Sequence, residues 1–296
     1  MNINAPLPVT VHPYRPDYAA YETGSVRRKN AIIFIGGLGD GPHSVQYLRT
    51  VARHLEEAEN LSYSLFEFRI RSSFSGFGTG SIADDVADIS TFVKYLRSIS
   101  KDKVVLFGHS TGCQDCAEYT NYAKHGSSPV GGFILHAPIS DREAFKLEFP
   151  DTDKSVQVAE RMIAEGKADH IAPKEIIPPS LGPAVSAYRL RSLLAKGGDE
   201  DYFSSDLDNA MIKKIWSRFD KPVLVLHSEK DENVPGNVDQ RKLNKLYQEA
   251  GAQVSSLSDL IPNTGHTVRR DSAREWLGER VVKFLETLAE KRREET

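Results

Sequence analysis

Cysteine is almost missing: the 296 residues hold only Cys113 and Cys116, and that i, i+3 pair cannot frame a disulfide-stapled secreted fold. No stretch reaches the ~18 consecutive apolar residues of a membrane span, and the start, MNINAPLPVTVHPYRPDYAAYETG, lacks a basic segment followed by an apolar one. Together these absences predict a soluble protein of a reducing, cytoplasmic compartment with no membrane partner. A charge excess is lacking too. With 38 Lys and Arg against 41 Asp and Glu, the net charge is −3, which gives no electrostatic footprint for nucleic acid. There is no internal repeat or low-complexity tract, and the tail EKRREET reads as a solvated helix end. What is present is a globular composition, 40% hydrophobic and 27% charged, long enough for one large α/β domain or two small ones.

Short apolar runs rich in β-branched and aromatic residues recur at 31–35 (AIIFI), 62–68 (SYSLFEF), 104–108 (VVLFG), 131–137 (GGFILHA) and 222–227 (PVLVLH), as buried strands do. Helical periodicity fills 45–58, 82–98 and 113–124 between the first four. Alternation of this kind predicts right-handed crossovers and a mostly parallel sheet with helices on both faces. Residues 138–221 separate the fourth and fifth strands, far beyond an ordinary loop. Helical pieces at 156–165, 185–194 and 209–218 predict an inserted helical cap over 141–217, with 1–140 and 218–296 as the core. A helix at 238–249, a weaker strand at 253–257 and a closing helix at 273–289 follow, and VTVHPY (9–14) could add an edge strand.

Directly after the strand VVLF comes Gly108-His109-Ser110-Thr111-Gly112 and then a helix, the strand–turn–helix context that gives G-x-S-x-G its meaning as a nucleophile elbow. The tight turn needs small flanking residues, and the helix amino terminus favours developing negative charge on Ser110. A serine hydroxyl attacks only when a base takes its proton and a third group orients that base. The chain order Ser, acid, His selects Asp231, in the loop after PVLVLH, and His266, which alone of the nine histidines follows both. Glu229 and Glu232 remain rival acids. For the oxyanion, the order predicts the backbone N–H groups of Thr111 and of Leu38 in the loop Gly36-Gly37-Leu38-Gly39-Asp40-Gly41.

Competing chemistries fit less well. The glycine-rich loop matches neither G-x-G-x-x-G nor a P-loop with its Lys, so no nucleotide cofactor is expected. His109, His136 and His227 fall at strand ends on one edge, yet no pair has ligand spacing such as H-E-x-x-H; metal is not expected, and His136 and His227 read as hydrogen-bonded supports. Cys113-Gln114-Asp115-Cys116 at a helix start could be a redox dithiol, but small residues there also suit packing of that helix on the sheet. Candidate substrate-binding residues are Gly37, Arg69, Arg71, Ser73, His109, Arg142 and Tyr188, with Ser72, Ser75, Arg189 and Phe203 nearby in the same segments. The competing reading for the arginines is a salt bridge to the carboxylates of the insertion. Asp199-Glu200-Asp201 reads as a solvated helix cap.

GHSTGCQD (108–115), RIRSSFSGFGTGS (69–81), HAPISDREA (136–144) and AYRLRSLLAKGGDEDYFSSDL (187–207) resemble the SidJ-like family of fungal siderophore esterases, largely fungal and plant α/β-hydrolases formerly of unknown function. The resemblance runs from about Tyr14 to the last helix and places the family's serine, acid and histidine on Ser110, Asp231 and His266. It implies an α/β-hydrolase fold and ester hydrolysis of fusarinine-type hydroxamate siderophores in the cytosol, with a ferric siderophore bringing its own iron. Other readings are an esterase, thioesterase or acyltransferase on another small acyl substrate, or a non-catalytic ligand receptor on a hydrolase scaffold.

Overall fold

The computed structural model describes residues 6–182 and 184–295; side chains beyond residue 290, and with them most of the EKRREET tail, lie outside the described set. Among the described residues, eight strands form one sheet: β1 (Thr10–Arg15), β2 (Tyr18–Thr23), β3 (Asn30–Ile35), β4 (Tyr63–Phe68), β5 (Val104–His109), β6 (Gly132–His136), β7 (Val223–Ser228) and β8 (Asp259–Ile261). Their order is β1-β2-β4-β3-β5-β6-β7-β8. β1 and β2 pair antiparallel at one edge, β2 joins β4 antiparallel, and every other pairing is parallel. The expected edge strand at 9–14 is thus β1.

The α-helices of the described residues are α1 (Leu48–Glu57), α2 (Ile82–Ser98), α3 (Gly112–Tyr119), α4 (Tyr122–His125), α5 (Asp141–Glu148), α6 (Thr152–Ala164), α7 (Ala187–Leu194), α8 (Asn209–Trp216), α9 (Gln240–Ala250) and α10 (Asp271–Glu295). Alternate residues of the central strands face opposite layers. Ile33, Leu106, Phe133 and Val225 pack with α2, α3 and α8, whereas Ile32, Phe107, Ile134 and Leu226 pack with α1 and α10. Burial on both faces explains why these strands read as continuous apolar runs.

Two local expectations shift. The weak strand at 253–257 contributes only a bridge from Val254 to Val223, and the ladder lies at Asp259–Ile261. Serines explain the delay: Ser255 Oγ accepts the Leu257 N–H and Ser258 N–H donates to Ser255 O, closing a turn where a strand would run. The helix expected over 113–124 breaks between α3 and α4, where Thr120 Oγ1 donates to Ala117 O.

The insertion after β6 divides by its packing. α5, α6 and α7 build a separate apolar cluster around Phe145, Ala159, Leu181, Leu190 and Leu194, which also takes in Phe77 and contacts Leu38. α8, with Phe203 and Trp216, instead packs on the sheet's own core.

Candidate active site

Ser110 lies between β5 and α3 at φ +53°, a left-handed conformation that a non-glycine residue holds only under surrounding constraint. That constraint is visible. Ser110 N–H donates to His136 O at 3.0 Å, and Cys113 N–H donates to Ser110 O at 2.8 Å. A Cβ on Gly108 would sit 2.3 Å from Gly112 O, and one on Gly112 would sit 2.2 Å from Ile35 O. The two glycines therefore let the elbow lie directly on β3.

Asp231 follows β7 and His266 precedes α10, and the chain returns both to Ser110. His266 Nε2 is 2.9 Å from Ser110 Oγ, and His266 Nδ1 is 2.8 Å from Asp231 Oδ2. Because a carboxylate only accepts, Nδ1 carries the proton and Nε2 presents its lone pair to the serine hydroxyl. All three residues are buried, each below a tenth exposed. The rival acids do not approach the imidazole. Glu232 Oε2 accepts the His266 N–H at 2.8 Å, and Glu229 Oε2 accepts the Asn263 N–H at 2.7 Å. Both carboxylates brace the histidine's loop, a role the sequence reading missed.

The glycine-rich loop crosses in front of Ser110. A Cβ on Gly37 would lie 2.7 Å from the Ser110 Cβ, so only glycine permits this approach. Asp40 shapes the turn: its Oδ2 accepts the Gly37 N–H at 2.8 Å and its Oδ1 accepts from Ser44 Oγ at 2.8 Å. The spacing G-L-G-D, with Asp three residues after the amide it binds, was a legible turn signal.

A cavity of about 510 Å³ opens at Ser110 and His266, walled by Leu38, Ile139, Phe145, Leu147 and Glu148 among others. Of the expected substrate-binding residues, Gly37 and His109 line it. The others are engaged elsewhere. Arg71 pairs with Asp84 at 2.7 Å and Asp88 at 2.9 Å; Arg142 pairs with Asp206 and lies 3.7 Å from Asp201; Arg69 stacks over the Tyr18 ring. Tyr188 donates to Asp199 at 2.5 Å, and Ser73 Oγ accepts the Ile70 N–H at 3.1 Å.

Beneath the elbow, His109 Nδ1 lies 3.0 Å from His136 Nδ1, which also meets Tyr47 OH at 3.0 Å, while His136 Nε2 is 3.3 Å from Ser228 Oγ. Burial, reinforced by the neighbouring imidazoles, pushes His109 and His136 well below the usual histidine range, and burial brings His227 down to about 4. The neutral imidazoles of His109 and His136 can donate and accept in turn along this chain, whereas the buried His227 Nε2 has no hydrogen-bond partner among the described residues, against the support expected of it. Burial likewise pushes the Cys113 and Cys116 thiols up, which removes the thiolate a redox dithiol needs. Behind the glycine-rich loop, Arg189 on α7 reaches Glu200 at 3.0 Å and Asp85 at 3.9 Å, so Glu200 is a buried ion partner and not a solvated cap. Burial raises Asp85 to about 6 and lifts Asp115 and Asp141 well above the carboxylate range. Among the described residues, no group of three His, Cys, Asp or Glu side chains could hold a metal ion, and no helix is long and apolar enough to cross a membrane.

Comparison with known proteins bears on this geometry. The family described as protein of unknown function (DUF1749) matches residues 1–286. The chain is 30% identical over 316 residues to the UPF0613 protein PB24D3.06c of Schizosaccharomyces pombe, covering 96% of this chain and 98% of that protein. It is 28% identical over 345 residues to the fusarinine C esterase sidJ of Aspergillus fumigatus, covering 95% and 96%. Its structure superposes on the siderophore hydrolase EstB from Aspergillus fumigatus with a TM-score of 0.81 at 27% identity, over 96% of this chain and 98% of that one. The chain thus belongs to the DUF1749 family, as a carboxylic ester hydrolase with the α/β-hydrolase fold.

Proposed function

We propose that Ser110, His266 and Asp231 form the catalytic triad of an esterase that cleaves fusarinine-type hydroxamate siderophores inside the cell, releasing their iron. The observation that carries this reading is the relay Ser110 Oγ–His266 Nε2–Asp231, at 2.9 and 2.8 Å, opening on a cavity of about 510 Å³. His266 takes the hydroxyl proton as Ser110 Oγ attacks the ester carbonyl, and Asp231 stabilises the imidazolium. Leu38 and Thr111 N–H groups receive the oxyanion. The tetrahedral adduct collapses, the alcohol leaves with the proton from His266, and water activated by the same imidazole then releases the acid. The ferric ion is cargo of the substrate, and the chemistry calls on no cofactor. We assign 141–217 as the cap over this cavity, with α5–α7 forming its apolar body. The siderophore is supported by the relatives named for that activity.

The test is mass-spectrometric product analysis of wild type and Ser110→Ala on ferric fusarinine-type triesters, with a small aryl ester as competence control. Cleavage of both by wild type alone is expected. Turnover of the aryl ester with every siderophore intact would leave the esterase and remove the siderophore. Turnover of neither, with no labelling of Ser110 by a fluorophosphonate, would leave a ligand receptor.

A further inference from the structure

A second cavity of about 380 Å³ adjoins the first, and Asp40, His109 and Thr267 line both. The two lobes differ in charge. The one at Ser110 has Asp40, Asp141, Glu148 and Glu232 in its wall and no Lys or Arg, whereas the second is lined by Arg269 and Arg274 together with Ser44 and Gln46. Arg269 makes no ion pair among the described residues; its Nε donates to Thr267 Oγ1 at 3.2 Å. Arg274 is 95% buried, at 5% exposure. Its Nε donates to Val268 O at 3.0 Å and its Nη1 lies 3.5 Å from Asp271, a carboxylate whose side chain is 93% exposed. The one carboxylate facing this lobe, Asp40, already accepts from Gly37 and Ser44. One exposed and one buried guanidinium group without full counter-charge, a few residues from the triad histidine, suit an anion.

We propose that this lobe binds a carboxylate of the substrate beside the scissile ester. The inference rests on Ser110 being the nucleophile, as argued above. Hydrolysis itself supplies the ligand: each ester cleaved yields one carboxylate and one alcohol, so a substrate with several ester bonds carries a carboxylate after its first opening. Planar guanidinium forks match that group. A site of this kind would draw the carboxylate-bearing product of the first cut back for its next cleavage, and the first cut would speed those that follow.

The experiment compares wild type and Arg269→Gln on three aryl esters: a neutral butyrate, a hemisuccinate with the carboxylate on the acyl side, and a 4-acyloxybenzoate with it on the alcohol side. Arg269 is exposed, so its loss spares the fold; Arg274→Lys, which keeps the charge but not the fork, is the second variant. The expected result is a tenfold fall in the ratio of kcat/KM for one anionic ester over the neutral one in Arg269→Gln, with the wild-type ratio falling as salt is raised. Equal effects of Arg269→Gln on all three esters, or binding of inorganic phosphate with no change in the ester ratios, would overturn the proposal. If wild type turns over none of the three, it is the triad reading that fails.

Discussion

The contrast between Asp231 and Glu232 is the sharpest test of the site, because adjacent carboxylates hold the same histidine by different atoms. Asp231 Oδ2 receives the ring Nδ1–H at 2.8 Å, and Glu232 Oε2 receives the backbone N–H at 2.8 Å. Asp231→Asn replaces the acceptor with an amide that can offer its own N–H to Nδ1, turning the imidazole to the tautomer with no lone pair toward Ser110. In a triad that error lowers kcat by about 10⁴-fold, or about 5.4 kcal/mol at 1.36 kcal/mol per decade. Glu232→Ala removes one charge-assisted hydrogen bond, worth about 1.5–3 kcal/mol in all. Only the part that displaces the ring reaches the transition state, so kcat falls by about 10-fold, up to about 100-fold if all of it does. Glu232→Gln keeps an acceptor oxygen and stays within about threefold of wild type. Steady-state kcat and KM on a neutral aryl ester read all three, and the rate of fluorophosphonate labelling reports the nucleophile apart from acyl-enzyme breakdown. If Glu232→Gln fell as far as Asp231→Asn, the assignment of acid and brace would be reversed.

Two further outcomes follow from the carboxylates Asp40 and Asp85. Asp40→Ala frees the Gly37 amide and loosens the Leu38 turn, so kcat should drop about tenfold or more with KM little changed, while Asp40→Asn, which still accepts, recovers most of it; a loss confined to KM would show that the turn does not hold the oxyanion donor. Asp85 has its folded-state pKa raised by burial from 3.8 to about 6, so between those values the native state binds the extra proton and stability falls as pH rises. The shift corresponds to about 3 kcal/mol. Denaturant titrations at pH 4, 5, 6 and 7 should show wild type losing up to that amount relative to Asp85→Asn across the window, and parallel curves for the two proteins would refute it.

The central strands were legible because a sheet covered on both faces needs unbroken apolar runs, and β3, β5, β6 and β7 match 31–35, 104–108, 131–137 and 222–227 within a residue or two. Ser110 was legible for a related reason: a turn this tight admits few sequences, and Gly108 and Gly112 mark it. Side-chain partners were not. Whether Arg71 faces a cavity or meets Asp88 depends on where α2 packs, which no local pattern of charges encodes, and Glu229 and Glu232 look like rival acids until the loop carrying His266 is seen against them. The late start of β8 was lost to serine hydrogen bonds that compete with the ladder over 255–258.

The segment RIRSSFSGFGTGS, one of the stretches that carry the family resemblance, shows how a motif can be distinctive without lining the cavity at Ser110. Phe74 sits at φ +60° with its ring against Gly41, where a Cβ would lie 2.2 Å from it, and its N–H donates to Asp40 O at 2.9 Å. Gly76 and Gly78 carry hydrogen where a Cβ would meet Arg71 O at 1.9 Å and Ala184 O at 2.0 Å. Gly78 O accepts the Ser186 N–H that opens α7, and Phe77 packs in the cluster of α5–α7. The segment is therefore clamped at one end to the glycine-rich turn and at the other to the insertion. Gly76 and Gly78 are required by backbone approach and Arg71 is held by Asp84 and Asp88, so the sequence pattern reflects the geometry of a clasp. Since Asp40 is common to the clasp and to the turn that carries Leu38, a displaced α7 would reach the proposed oxyanion donors through this segment before it touched Ser110, His266 or Asp231.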